Sequence, residues 1–251
     1  MSVSVNSLDL LRFSALGSLD GIVHGISTRA GGVSQGRCAS LNVSYSVGDT
    51  PANVDENLRR LAQAVGTESE RLFWPYQVHG RQVTEVTPST PERPRCDALI
   101  TRSRERWLLL RFADCTPVLI ADPKLRAIAA VHAGWRGSAV RAAAAAVAAL
   151  VDTYGSRPAD LVAGIGPAIG PCCYTVGQDV VDAFADRPWL IQQGKLDLWA
   201  ANREALLDAG VPAEQIEQAG LCTRCQSDRF FSHRANNAHP AGRFAAIIGL
   251  R

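Results

Sequence analysis

Apolar positions in this chain fall in short runs set off by Gly, Pro, Asn or Asp, a pattern of many short strands rather than long helices. Residues 22–28, 72–78, 83–86, 98–101, 107–113, 117–121, 127–131, 161–165 and 243–250 read as strands on that basis. The strand over 72–78 is predicted in spite of Pro75, and it would end at His79-Gly80. Helical spacing appears elsewhere. Val54, Leu58, Leu61 and Val65 share one helix face ahead of Gly66, a natural C-terminal stop. Ser138 is placed to cap a helix running to about residue 154, with Gly155 past its end. Two further helices are predicted over 178–185 and 198–208, the second stopped by Gly210.

Segments 29–36, 88–94 and 166–174 are too rich in Gly, Pro or polar residues to be regular, and read as loops. Strands this closely spaced suit antiparallel hairpins rather than a strict βαβ alternation. The fold class expected is therefore α+β, mixed β-sheets with flanking helices. No repeat or linker divides residues 1–251, so a single domain is expected.

Composition changes this picture little. Hydrophobic residues at 47%, charged residues at 20% and a formal charge of +2 describe an ordinary globular protein, without a nucleic-acid or membrane footprint. The N-terminus lacks the basic start and apolar core of a signal peptide, and no apolar stretch approaches about 18 residues. A cytoplasmic location is the expectation. In such a compartment the seven cysteines are thiols or ligands rather than a disulfide framework.

The chemistry concentrates in Ala113-Asp114-Cys115-Thr116-Pro117-Val118-Leu119 and Ala130-Val131-His132-Ala133-Gly134-Trp135-Arg136-Gly137. A strand-turn-strand unit would bring Cys115 and His132 to the same end of a sheet. The pair could be a nucleophile with its base or part of a metal site. His79, at a similar strand-to-glycine junction, adds a third donor. Three protein ligands with an open fourth position is the pattern of a catalytic zinc site. Spacing alone leaves both readings open.

Several of these stretches resemble the YfiH family, also called the laccase-domain or polyphenol-oxidase family. They are Val78-His79-Gly80, the two segments around Cys115 and His132, Gly164-Ile165-Gly166-Pro167-Ala168-Ile169-Gly170-Pro171-Cys172-Cys173-Tyr174 and Phe230-Phe231-Ser232-His233-Arg234. Ser40-Leu41-Asn42 and Val47-Gly48-Asp49 match as well. His233 stands where the family usually has Tyr, and Leu58 where it often has Arg. The resemblance implies layered mixed sheets and a metal, zinc with copper also possible, on His79, Cys115 and His132. It also implies a purine nucleoside phosphorylase acting on adenosine, inosine and methylthioadenosine, with adenosine deaminase activity alongside. Nucleoside and phosphate would be its partners. Other members are described as peptidoglycan editing factors.

The residues test these names. A multicopper oxidase needs many imidazoles, typically in His-x-His pairs, and this chain has five histidines and no such pair. Its single methionine is Met1, which leaves no axial blue-copper ligand. A single copper on the three ligands stays open. The zinc-deaminase signature, His-x-Glu followed by Pro-Cys-x-x-Cys, is absent too. Any deamination would come from an independently built site, in which Asp114 could act as acid–base or merely cap a turn.

Phosphorolysis asks for an anion site, for which Arg29, Arg136 and Arg234 are the candidates. Asn42 could bond the ribose or base, Trp135 could stack on a purine or fill the core, and Cys173 with Cys172 could line the pocket. Cys222 and Cys225 read as half of a structural zinc site, a redox pair or, better, two core thiols near a turn. The alternatives to a phosphorylase are a cysteine hydrolase with Cys115 as nucleophile, a copper-binding polyphenol oxidase, and a non-catalytic nucleoside sensor.

Overall fold

The computed structural model describes residues 8–91, 93–235 and 241–251. The strand segments assemble into two facing sheets. The first has the order β1 (Leu10–Leu11), β2 (Ile22–Ser27), β13 (Phe244–Leu250), β6 (Trp107–Phe112), β3 (Leu72–Phe73). The second runs β12 (Ile216–Gln218), β9 (Val162–Ile165), β7 (Thr116–Asp122), β8 (Ala127–Ala133), β5 (Ala98–Thr101), β4 (Val83–Glu85). A hairpin of β10 (Ile191–Gln192) and β11 (Lys195–Leu196) stands apart. The helices are α1 (Ser14–Gly17), α2 (Pro51–Val65), α3 (Trp135–Ala139), α4 (Ala142–Tyr154), α5 (Gln178–Ala183) and α6 (Leu198–Asp208). Both sheets mix antiparallel and parallel pairings, in keeping with the α+β expectation.

Alternation along each strand explains the layering, because successive side chains point to opposite faces. In β6, Leu108, Leu110 and Phe112 turn inward between the sheets, while Trp107 and Leu109 pack with α2. In β13, Ala246 and Ile248 go inward and Ala245 and Ile247 meet α2. The second sheet mirrors this. Leu119, Ile128 and Ala130 face the first sheet, and Val118, Ile120, Ala129 and Val131 lie under α4 and α6. The layers are thus α2, first sheet, second sheet, and α4 with α6. Each fully buried Leu or Ile contributes about 1.5–3 kcal/mol to holding them together. Among the described residues no helix is long and apolar enough to cross a membrane.

The structure departs from expectation where local geometry overrides pattern. The strand expected over 72–78 stops after Phe73, since Pro75 cannot donate to a ladder; Tyr76 makes only an isolated bridge with Arg95. The helix expected from Val54 starts at Pro51, a residue suited to the first helical position. The helix expected from Ser138 is two helices, broken at Arg141 with φ 57°. Ser138 lies inside α3, where its hydroxyl accepts from Asn202 Nδ2 at 2.9 Å. β1, α1, β12 and the β10–β11 hairpin were not expected; they are too short to leave a periodic signal.

His24 on β2 carries a stability consequence. It is buried, and its Nε2 accepts the Phe13 N–H at 2.8 Å. Burial, helped by the Arg12 charge, lowers its pKa from 6.5 to about 4. The unfolded chain therefore takes up a proton that the fold excludes as pH falls from 6.5 towards 4. Stability fully present above that window is lost across it, by roughly 3 kcal/mol at most. Urea unfolding over this window is expected to show the slope, and His24→Gln, which keeps an acceptor, to flatten it. The same slope in both proteins would rule out His24 as its source.

Candidate metal centre and its cleft

Two segments cross from the first sheet to the second, and each carries a ligand candidate. Residues 74–82 join β3 to β4, and residues 113–115 join β6 to β7. Both turn through a left-handed non-glycine residue, His79 at φ 62° and Asp114 at φ 83°. Such conformations cost about 1–3 kcal/mol and persist only where the surroundings hold them. His132 reaches the same place from β8, where it is paired with Pro117 of β7.

The donor atoms of His79, Cys115 and His132 all lie within 4.8 Å of one another. The two imidazoles meet edge to face, 4.9 Å between centroids. Gly134 makes the room. A Cβ there would stand 2.9 Å from Cys115 Sγ and 3.3 Å from His79 Cδ2.

Asp97, immediately before β5, organises the group. Its side chain is buried. Its carboxylate accepts the N–H groups of Val78, His79 and Gly80 at 3.2, 2.9 and 2.6 Å, which fixes the left-handed turn. The same carboxylate lies 2.8 Å from His132 Nδ1, leaving Nε2 as the nitrogen to face Cys115. Burial pushes Asp97 up, but the His132 and backbone hydrogen bonds outweigh it and hold the carboxyl below its usual range. Sequence reasoning missed this residue. Its only signal was an acid at the head of an apolar strand.

Burial opposes charge on Cys115 as well, yet the His132 charge and hydrogen bonds from both imidazoles bring the thiol down to about 6. His132 rises to about 9 in spite of burial, through Cys115 and Asp97. A thiolate with two imidazoles is a donor set that suits zinc and also accepts copper. The residues therefore fit a metal, with a position left open towards solvent. A histidine ligand whose other nitrogen meets a carboxylate is the arrangement that fixes its tautomer.

A cleft of about 660 Å³ opens over the three ligands. Among the described residues, Arg93, Arg111, Arg136, Arg234 and Arg243 line it, against one carboxylate, Asp114. Both oxygens of Asp114 are engaged, by Thr223 Oγ1 at 2.6 Å and the Arg234 N–H at 2.7 Å. Asp114 thus ties the 222–234 segment to the crossing that carries Cys115.

The remaining candidates divide. Arg136 and Arg234 line the cleft, Arg136 over the Trp135 ring and Arg234 over Tyr174. Trp135 is half-buried and serves both readings, since it lines the cleft and packs on the core. Arg29 is spent on the Ala39 and Ser227 carbonyls and the Phe231 ring, outside the cleft lining. Asn42 is buried; it donates to Ser44 O and Asp49, and accepts from the Ser44 and Arg243 N–H groups. Cys173 does not line the cleft; it joins Cys172, Cys222 and Cys225. His233 lines the cleft and His24 lies in the core, while His239 falls outside the described residues.

Arg111 and Arg243 were not expected. They are diagonal neighbours on one face, since Arg111 pairs with Ala245. Arg111 Nε donates to Val43 O at 2.7 Å, its guanidinium lies 4.7 Å from the Trp74 centroid, and its Nη2 has no partner among the described residues. Burial depresses the pKa of both arginines; Arg243 also feels the Cys115 and Asp114 charges, which act the other way. A lone cation inside the apolar run Trp107–Phe112 was the available signal.

Comparison with known proteins gives a consistent picture. A family model described as multi-copper polyphenol oxidoreductase laccase matches residues 23–251. Purine nucleoside phosphorylase YlmD of Geobacillus stearothermophilus is 39% identical over 250 residues, 92% of this chain and 91% of that protein. The crystal structure of Bacillus licheniformis hypothetical protein YfiH superposes with a TM-score of 0.90 at 33% identity, covering 98% of both chains. That of YlmD from Geobacillus stearothermophilus gives 0.87 at 36% identity, covering 96% of both.

Proposed function

The chain belongs to the YfiH family of laccase-like domains, and from that premise we propose that it is a zinc-dependent purine nucleoside phosphorylase acting on adenosine, inosine and methylthioadenosine. The relatives' names, purine nucleoside phosphorylase YlmD and YfiH, support the activity. One observation carries the reading: a His-Cys-His donor set at the base of a cleft that, among the described residues, is lined by five arginines and one already engaged carboxylate. A site built to hold an anion beside a metal suits phosphate as co-substrate.

In phosphorolysis a phosphate oxygen bonds to the ribose anomeric carbon as the carbon–nitrogen bond to the purine breaks. The purine leaves with the proton that hydrogen phosphate gives up, and ribose 1-phosphate forms. His79, Cys115 and His132 would hold the metal, which when bound supplies Lewis-acid polarisation. Arg111 and Arg243 hold the phosphate, and Arg136 and Arg234 close over it from the other wall. Trp135 and Tyr174 line the same cleft and carry Arg136 and Arg234 on their rings. Asp97 keeps both histidines oriented without touching substrate. Adenosine deamination is proposed as a side reaction of the same cleft, measured as ammonia released without phosphate.

Arg243→Met is expected to raise the phosphate KM about tenfold to a hundredfold, the worth of a charge-assisted hydrogen bond. The adenosine KM is expected to stay within about twofold. Steady-state kinetics with each substrate varied in turn check this. Equal rises in both constants would remove Arg243 from the phosphate site.

A second reading rests on the same atoms. Cys115, His132 and Asp97 stand in the order nucleophile, base and orienting acid, as in a cysteine hydrolase acting on a peptidoglycan precursor. His79 has no task in that scheme, which favours the metal. A chelator that inactivates, with recovery on added zinc, supports the phosphorylase. Inactivation by alkylation alone, with the chelator inert, supports the hydrolase.

A further inference from the structure

Four cysteines meet outside the cleft. Cys172 and Cys173 come from the Gly-Pro loop after β9, and Cys222 and Cys225 from the turn after β12. Their sulfur atoms all lie within 4.8 Å of one another, with Cys173–Cys225 at 3.4 Å and Cys172–Cys225 at 3.6 Å. In a tetrahedral zinc tetrathiolate, zinc–sulfur bonds of about 2.3 Å set the sulfurs about 3.8 Å apart. The four thiols already approximate those corners.

The surrounding backbone suits a thiolate. Cys222 Sγ accepts the Gly170 N–H at 3.3 Å. Lys195 and Arg224 border the cluster, donating to the Cys172 and Cys173 carbonyls at 3.1 and 3.4 Å. Their charges offset the double negative charge of a metal tetrathiolate. Cys172 and Cys225 are exposed, which gives an ion a path in.

We propose that Cys172, Cys173, Cys222 and Cys225 form a second metal site, structural and selective for zinc, distinct from the His-Cys-His set. All four positions are filled by protein sulfur, the closed coordination of a structural centre. The site pins the loop bearing Ile169 and Tyr174, both in the cleft wall, to the turn whose Thr223 holds Asp114. The backbone already links the two, through the Ala168–Cys222 bridge and the Thr223 N–H to Ala168 O at 3.0 Å. Zinc here stiffens one wall of the cleft and takes no part in bond breaking.

The test is native mass spectrometry of the full chain, purified under reductant, stripped with a chelator and reloaded with Zn²⁺. The wild type is expected to bind two ions, Cys115→Ala one, and Cys172→Ser/Cys225→Ser one. A wild type that binds a single ion, retained in Cys115→Ala, equally supports the cysteine site. Cobalt in Cys115→Ala is expected to show intense sulfur-to-metal charge-transfer absorption, a readout that needs no cysteine-cluster variant to fold. A single ion lost in Cys115→Ala would overturn the proposal. So would a disulfide among the four cysteines that persists under reductant in place of metal.

Discussion

Cys115→Ala is expected to abolish phosphorolysis and leave the fold standing. The thiol is the soft donor of the set, and removing it leaves two imidazoles that cannot by themselves hold zinc in a three-ligand catalytic site. Loss of a residue that merely orients a ligand typically costs about 10–100-fold in metal affinity or activity, and loss of a ligand exceeds this. A drop in kcat/KM of at least about a thousandfold is the expected result. The cost in stability is small, because Cys115 stands at the edge of the inter-sheet core and truncation to Ala creates no large void. Kinetics, metal content and urea unfolding on one preparation check all three parts. A variant with full activity would remove Cys115 from the reaction.

The second large effect belongs to Asp97→Asn. One buried carboxylate meets three backbone N–H groups and the His132 ring. The amide presents N–H donors where the fold already presents donors, so at least one of those groups loses its acceptor. Breaking a buried charged network of this kind costs about 3–5 kcal/mol. Activity is expected to fall about 10–100-fold, through looser zinc binding rather than a changed phosphate KM. Urea unfolding and zinc titration of the same variant separate the two roles. Lost stability with unchanged zinc affinity would make Asp97 a support of the fold alone.

How much of this could be read in the sequence depends on how local each cause is. The long strands and α2, α4 and α6 follow from alternation and helical spacing, which a window of neighbouring residues contains. The convergence of Cys115 and His132 was legible for the same reason, since both sit at the ends of consecutive strands. The break at Arg141 was not. It lies just past α3, which packs against the His79 turn through a contact between residues far apart in the chain: a Cβ on Gly137 would stand 3.1 Å from Gly80 O.

Asp97 acts through partners far away in the chain, and Arg243 comes beside Arg111 only through the pairing of β13 with β6. Neither left a spacing pattern. Arg29 shows the converse, a cation in a glycine-rich loop whose donors are consumed by backbone carbonyls. The cysteine pairs were each visible as Cys-Cys and Cys-x-x-Cys. What joined them was the packing of the β9 and β12 loops side by side, a consequence of the parallel pairing of those two strands.

The most direct measurement incubates the purified protein with adenosine and inorganic phosphate and identifies the sugar product, before chelation, after it, and after return of zinc. Ribose 1-phosphate is expected together with adenine, its formation ceasing on chelation and returning with zinc. Undiminished ribose 1-phosphate formation by the metal-free protein, or purine release that ignores phosphate, would contradict zinc-dependent phosphorolysis.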